Sequence, residues 1–269
     1  MTEKTCFLWA GILAVGLSVA QAQSPQELIQ QAVNAEHAAD ENDHSQWGYL
    51  EEVHKPKEQV LQWVAATPKG DVERVLEKNQ QKLTAAQQDE LIRSFLHDAH
   101  AQRKQLAETD HDNKQIDDLM LLLPVAFIWT ETSATATDTF LHYEPNPRFH
   151  PPTREAHVFS SMAGDLVIDN QQHRIRSMSG HLMHEVNFGG GLLGKLKEGS
   201  SFSLEQKQVG PMLWQLTAFH VDLEGNALLF KNISLKQDDK RSAFELEPPA
   251  ITLDQAAVAV MQRPEGVVF

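Results

Sequence analysis

The chain has 269 residues, 41% of them hydrophobic, and a formal net charge of −14 at pH 7. This length allows one large domain or two modest ones with a real core. The charge excludes the basic surface that nucleic acid requires, and an anionic membrane surface would repel the chain. Small apolar ligands, protein partners and cationic partners are compatible with it.

Residues 1–22 have the pattern of a secretory signal peptide. Lys4 gives a weakly basic start, an apolar run extends from Phe7 to Val19, and Ala20-Gln21-Ala22 supplies the small-x-small sequence that signal peptidase cleaves. The apolar run, about 13 residues, is short for a bilayer span. We therefore expect export and a mature chain that begins near Gln23; a retained membrane anchor is the alternative.

The single cysteine, Cys6, lies before this apolar run. Cleavage would leave a mature chain without cysteine, which excludes disulfides and thiol catalysis. No later apolar stretch reaches the ~20 residues of a transmembrane helix. The mature chain is therefore predicted to be periplasmic, without a stable transmembrane segment.

Capping signals predict the first helix. Ser24, Pro25 and Glu27 form a capping box with proline at the first helical position, and the helix is expected to fade in the polar run Asp40–Ser45. Trp47–Thr67 predicts two strands, and a third is predicted over Val72–Leu76.

A second capping box, Thr84 with Gln87, precedes apolar residues at 3-4 spacing and predicts a helix over Thr84–Ala107. Another helical piece is predicted over Lys114–Leu122. Val125–Thr130 is apolar on both sides, which predicts a central strand, and Ser133–Tyr143 is its predicted partner.

The stretch Phe149–Leu196 predicts a loop, a short helix, a strand, a turn at Asn170 and a long strand. That last strand alternates, and its even-numbered face is apolar: Met178, Gly180, Leu182, Val186 and Phe188. Such alternation is typical of a sheet with one covered face. The glycine-rich segment Gly189–Gly194 has no phosphate-binding lysine and serine pair, so it predicts a chain reversal.

Three further strands are predicted over Ser201–Val209, Met212–Leu223 and Ala227–Leu235, with turns at Gly210-Pro211 and Glu224-Gly225. A slip in the apolar phase predicts a bulge near Lys231. The tail, Glu247–Phe269, is predicted to be either an appended helix near Gln255 or a disordered end.

No catalytic residue, metal ligand or cofactor is predicted. His181 and His184 are three apart in a strand and point to opposite faces, and His97 with His100 lacks a third ligand at a recognisable spacing. The motifs G-x-S-x-G and H-E-x-x-H and the P-loop are absent. The paired carboxylates are interpreted as solvated surface: Glu51-Glu52, Asp117-Asp118 and Asp238-Asp239.

The apolar residues give the sharper hypothesis. A curved sheet would be lined on its concave face by a set of large side chains: Phe127, Trp129, Phe140, Met178, Leu182 and Trp214. If a helix covers that face completely, these residues are core. If coverage is partial, they line a groove for an acyl chain or another long apolar ligand.

Several segments resemble the bacterial outer-membrane lipoprotein-sorting-protein-like (LolA/LolB-like) group. They include Pro145 and Pro147, the helix start Pro152–Ala156, Met162-Ala163-Gly164 and Phe188-Gly189-Gly190, within a similarity over about Trp129–Lys236. The resemblance implies an α+β fold: a half-open antiparallel β-barrel with helices on its concave side. It would form one domain over residues 23–246, with a helical insertion at about 84–122 and a C-terminal extension over 247–269.

The resemblance also implies a function. We expect an exported, non-enzymatic carrier-like protein whose partner is a lipid or a lipidated protein, held on the concave face. The alternatives are an envelope protein-interaction or scaffold module with a filled barrel and, last, a metal-assisted hydrolase. Function inferred from fold is an analogy.

Overall fold

The computed structural model describes residues 23–188, 194–227 and 231–265, without the side chains of 226, 227 and 231–234. These residues form an α+β structure with one large antiparallel sheet. The helices are α1 (Pro25–Asn42), α2 (Ala85–His97), α3 (Ala99–Met120), α4 (Leu123–Ala126), α5 (Arg154–Phe159) and α6 (Leu253–Gln262). The first strands are β1 (Trp47–Lys55), β2 (Glu58–Ala65), β3 (Val72–Lys78), β4 (Gln81–Lys82), β5 (Phe127–Ala134), β6 (Asp138–Pro145) and β7 (Met162–Asp169). The remaining strands are β8 (Ile175–Leu182), β9 (Val186–Phe188), β10 (Gly194–Leu196), β11 (Ser201–Gly210), β12 (Leu213–Ala227) and β13 (Lys231–Leu246).

The sheet is open, with the order β4-β3-β2-β1-β13-β12-β11-β8-β7-β6-β5. The short strand β10 pairs with both β9 and β12 beside this path. Strands β1 to β4 therefore form one half of the sheet and β5 to β8 the other, and the long strands β11, β12 and β13 join the two halves.

Strand register defines one continuous face of the sheet. Directly opposed residues form a row across eight strands, from β6 to β2: Leu141, Leu166, Met178, Leu204, Phe219, Asp239, Val53 and Val60. Opposed residues in antiparallel strands project from the same side of the sheet. We call the side that carries this row the inner face. Asp239 is the one charged residue in the row.

The helices lie on both sides of the sheet. On the inner face, α1 and α4 contribute Ile29, Val33 and Leu123 to a buried cluster with β5 to β8, and Phe159 at the end of α5 packs against it. On the opposite face, α2 and α6 pack on β1 to β3 in a second cluster, which includes Leu50. The helices thus divide between the two sides of the sheet, and the prediction that the inner face is the concave side stays a prediction.

Arg74 fixes α6 to the sheet. Its side chain is buried, and it donates hydrogen bonds to the carbonyl oxygens of Val260 at 3.1 Å and Arg263 at 2.7 Å, at the C-terminal end of α6. It also donates to Glu265 at 2.8 Å. A cation at this end satisfies carbonyl groups that have no partner inside the helix.

The helix α3 connects the two ends of the sheet. Near its start, Gln105 accepts a hydrogen bond from the backbone of Asp71, beside β3, at 2.8 Å. At its end, Met120 packs against the cluster under α1 and α4. None of its 22 residues is buried, so it is a bridging helix, roughly 33 Å long at 1.5 Å per residue.

Most local predictions are confirmed, including the caps at Ser24 and Thr84 and the three N-terminal strands. The single helix over Thr84–Ala107 is wrong, because Asp98 ends α2 and caps α3, where it accepts hydrogen bonds from the amides of His100 and Ala101. The predicted piece at Lys114–Leu122 is largely the continuation of α3.

The predicted central strand at Val125–Thr130 is wrong in two respects. Val125 belongs to α4, and β5 lies at the edge of the sheet with Ile128 53% exposed. The predicted partner strand begins too early, since the β5–β6 turn falls within it. The long strand after Asn170 is interrupted between β8 and β9.

The turn predicted at Glu224-Gly225 is also wrong. Both residues pair within the β12–β13 ladder, and the described pairs of that ladder continue from Lys231 without a register shift, so no bulge is found there. Leu228 and Phe230, which suggested the bulge, lie outside the described residues. Of the two alternatives for the tail, a helix near Gln255 is observed as α6.

The predicted signal peptide, residues 1–22, and most of the glycine-rich segment, residues 189–193, lie outside the described residues. Among the helices of the described ranges, none is both long and apolar enough to cross a bilayer.

Candidate functional site: the inner face of the sheet

Four of the six predicted lining residues lie together in the cluster under α1 and α4. The exposed fractions are 2% for Phe127, 7% for Trp129, 5% for Met178 and 0% for Leu182. Side chains this inaccessible have the burial of core residues. Their position matches the predicted shared face, whereas their role toward a ligand stays a prediction.

Aromatic packing accounts for this burial. Phe127 contacts Tyr143 edge to face at a ring-centroid distance of 4.6 Å, and Phe159 from α5 covers Phe127 at 5.1 Å. The indole nitrogen of Trp129 donates to the carbonyl oxygen of Leu123 at 3.0 Å. Here the protein's own side chains fill the inner face.

The structure separates Phe140 and Trp214 from the other four. Phe140 is half-buried and precedes Leu141, so strand alternation directs it to the opposite face. Trp214 is buried, donates to Gln172 at 3.0 Å and packs against the guanidinium of Arg176 at 5.2 Å. Phe140 is therefore not on the predicted face, whereas Trp214 opposes Gln208, which shares the face of Leu204, so its place in the lining stays a prediction.

Glu36 anchors α1 on the sheet. Its carboxylate accepts hydrogen bonds from the side chain of Arg174 at 2.8 Å and from the backbone amide of Ile175 at 2.7 Å. Glu36 is only 7% exposed and is the last buried residue of α1. The buried pair of Glu36 and Arg174 therefore marks the point beyond which α1 no longer covers the inner face.

Beyond the helices, the inner face continues as a half-buried apolar surface. Leu204 packs at the rim of the α1 cluster, whereas Phe219, Val53 and Val60 are half-buried and belong to none of the clusters formed by the described residues. We call these four residues the open row. They occupy β11, β12, β1 and β2, with β13 between β12 and β1.

A charged cluster lies beside the open row. Arg241 donates to Glu51 at 2.9 Å, and Gln62 donates to the other oxygen of the same carboxylate at 3.0 Å. The aromatic ring of Tyr49 lies 5.0 Å from the Arg241 guanidinium. Glu51 is 8% exposed, so its interpretation as solvated surface was wrong.

Asp239 is the second buried carboxylate, and its assignment to solvated surface was also wrong, since it is 9% exposed. One carboxylate oxygen accepts a hydrogen bond from Gln237 at 2.7 Å, while the other is inaccessible and has no partner among the described residues. Burial raises the pKa of Asp239, and the charge of Glu51 acts in the same direction. An unpaired buried carboxylate oxygen is costly.

Two more carboxylates come from the start of β3. Burial raises the pKa of Asp71, which is half-exposed. Glu73 is exposed to solvent, yet packing of the neighbouring strands around its carboxyl raises its pKa to about 7, with the charges of Glu51 and Asp71 adding to the effect. The cluster therefore opens to solvent at Glu73.

A separate cleft of about 580 Å³ lies at the rim of the sheet, between the loop before α5 and β9. It is lined by Pro151, Pro152, Thr153, Arg154, His157, Asn187 and Phe188. None of the six predicted lining residues borders it.

Among the described residues, no three histidine, cysteine, aspartate or glutamate side chains are placed to hold a metal ion together. The charged cluster is what the sequence interpretation missed. The alternation of Tyr49, Glu51 and Val53 could have placed Glu51 on a covered face, although it could not have identified Arg241 as the partner.

Comparisons with models of protein families, with curated proteins and with solved structures find no match for this chain.

Proposed function

We propose that this protein is an exported, periplasmic, carrier-like protein that binds a long apolar chain, from a lipid or the lipidated end of a protein, on the inner face of its sheet. The observation that carries the proposal is the open row, where the apolar inner face continues past the last helix. The resemblance to the LolA/LolB-like group supports the same ligand class. In this proposal the packed residues under α1 are hydrophobic core, and the ligand lies on the open row.

The strand spacing gives the scale of this site. The open row runs from β11 to β2 over four strand spacings, which is about 19 Å at roughly 4.8 Å per spacing. An extended apolar chain laid across the strands would contact Leu204 and Phe219 on one side of Asp239, or Val53 and Val60 on the other. Burying half-exposed apolar side chains in this way is favourable at about 25 cal/mol per Å².

Two measurements test the proposal. Lipid extracted from the purified protein is identified by mass spectrometry, and a fluorescent fatty acid is displaced by unlabelled competitor. We expect a co-purifying lipid and saturable displacement. The absence of both contradicts the proposal.

A pair of adjacent residues on β11 gives a matched control. Leu204→Gln places an amide on the inner face and should weaken fatty-acid binding about tenfold, since an unpaired polar group in an apolar site costs roughly 1–3 kcal/mol. Ser203 pairs with His220 and Ser179 on the opposite face, so Ser203→Gln should leave binding unchanged. Both variants are first compared with the unmodified protein by thermal unfolding.

The filled inner face under α1 favours a second candidate, an envelope protein-interaction module without a small ligand. Its supporting observation is the burial of Phe127, Trp129 and Leu182 by the protein's own side chains. The two candidates differ in the displacement assay, because a module without a ligand site gives no saturable fatty-acid binding.

A further inference from the structure

The inner face changes chemistry along its length. From Leu141 to Phe219 the row is apolar, and the next strand brings Asp239 into it, followed by Val53. The charged cluster lies beside this point, with Glu51 in the neighbouring register on β1. An apolar chain that covers Leu204 and Phe219 would therefore end at Asp239, with the charged cluster beside it.

The balance of charge around this point is negative. The carboxyl groups of Glu51 and Asp239 lie there, those of Asp71 and Glu73 lie on the far side of Glu51, and the cations that act on the four are Arg241 and Lys55. The hydrogen bond of Arg241 to Glu51 matches one cation with one carboxylate. Lys55 is exposed at the end of β1. The cluster is thus short of positive charge.

Asp239 supplies an independent indication of a ligand. It is 9% exposed, it projects from the inner face between Phe219 and Val53, and one of its oxygens has no partner among the described residues. Native proteins pair nearly all of their buried polar atoms. A hydrogen-bond donor carrying positive charge would satisfy this oxygen and the charge balance together.

We propose that the protein selects amphiphiles whose head carries an ammonium group, with the apolar chain over Leu204 and Phe219 of the open row and the ammonium group hydrogen-bonded to the carboxylate of Asp239. This proposal rests on the proposed function, since it assigns the head group of the same ligand. A primary ammonium offers three donors without any acceptor, so it can pair with the carboxylate of Asp239 and keep its remaining donors toward water. A carboxylate head would meet like charge at the same place and is disfavoured.

The test compares three probes with the same twelve-carbon chain: dodecylamine, dodecanol and dodecanoic acid. Each displaces a neutral fluorescent probe from the full-length protein at pH 7 and at concentrations below micelle formation. We expect the amine to bind about tenfold more tightly than the alcohol, because one additional charge-assisted hydrogen bond increases the affinity by about this factor. The acid should bind more weakly than the alcohol.

Matched variants locate the selectivity. Asp239→Asn should reduce the ratio of amine to alcohol affinity to about one. Asp238 is adjacent, lies on the opposite face and pairs with His220 at 2.5 Å, so Asp238→Asn should retain the full ratio. If Asp239→Asn fails to fold, dodecylamine is cross-linked to the unmodified protein with a carbodiimide and the modified carboxyl is located by peptide mass spectrometry. Modification of Asp239 is expected, and modification of Asp238 instead overturns the assignment.

The outcomes separate the two proposals. Equal binding of all three probes overturns the head-group proposal and leaves the carrier function standing. No saturable binding of any probe overturns both. A preference for the amine that survives in Asp239→Asn also overturns the assignment to Asp239.

Discussion

Replacing Glu36 tests how the inner face is covered. In Glu36→Ala the guanidinium of Arg174 loses its carboxylate partner at 2.8 Å, and the backbone amide of Ile175 loses its acceptor at 2.7 Å. The side chains of Glu36 and Arg174 are only 7% and 11% exposed, so water replaces little of what is lost. Removing one partner of a buried pair costs about 3–5 kcal/mol. For a chain of this size, each kcal/mol lowers the unfolding midpoint by roughly 2–4 °C.

The assay is thermal and urea unfolding of three variants. Glu36→Gln keeps an oxygen that can accept from Ile175 and should fall between Glu36→Ala and the unmodified protein. Glu41→Ala is the control from the same helix, because its side chain is 64% exposed and its loss should change stability by less than about 0.5 kcal/mol. If Glu36→Ala were as stable as Glu41→Ala, the reasoning that this pair fixes α1 would be refuted.

Three other predictions concern the sheet, α6 and the charged cluster. Gly164→Ala should destabilise the protein by about 2 kcal/mol or more, because a Cβ atom there would lie 2.8 Å from the Cα atom of Gly180 on the next strand; urea unfolding measures this. Arg74→Met should cost about 3 kcal/mol and release α6, since the carbonyl oxygen of Val260 loses its donor, and limited proteolysis near the C-terminus should detect the release. Glu73 has a pKa raised from 4.5 to about 7, so its carboxyl contributes stability at pH 4 that is lost as the pH rises through 7, and Glu73→Gln should flatten this part of the stability curve.

Each of these predictions has a clear contrary result. If Gly164→Ala left the free energy of unfolding unchanged, β7 and β8 would be able to move apart and accommodate the added methyl group without loss of stability. Equal proteolysis of Arg74→Met and the unmodified protein would show that α6 is held by its apolar contacts alone. A pH profile that Glu73→Gln leaves untouched would assign the dependence to other groups.

Local signals in the sequence predicted what local chemistry determines. Ser24 and Thr84 each form a capping box within three residues, so the starts of α1 and α2 could be identified without knowing the fold. The strand after Asn170 alternates from Met178 to Leu182, because one of its faces is covered more than the other.

Contacts between distant residues were beyond the sequence. Gly225 was interpreted as a turn residue, yet it lies inside β12, where the backbone of Leu196 on β10 approaches so closely that a Cβ atom would lie 3.2 Å from its Cα atom. A close approach and a turn both call for glycine, and the sequence does not distinguish them. Likewise, Glu51 and Arg241 are 190 residues apart, so the charged cluster could be found only once the order of the strands was known.

The bridging helix α3 has a mechanical consequence. An α-helix cannot lengthen without breaking its backbone hydrogen bonds, so the span between its attachments at Asp71 and at Met120 is set by its residue count. Inserting one turn would move these two attachment points about 5.4 Å further apart along the helix, and deleting one would bring them closer by the same distance. The helix therefore acts as a spacer between the start of β3 and the cluster under α1 and α4.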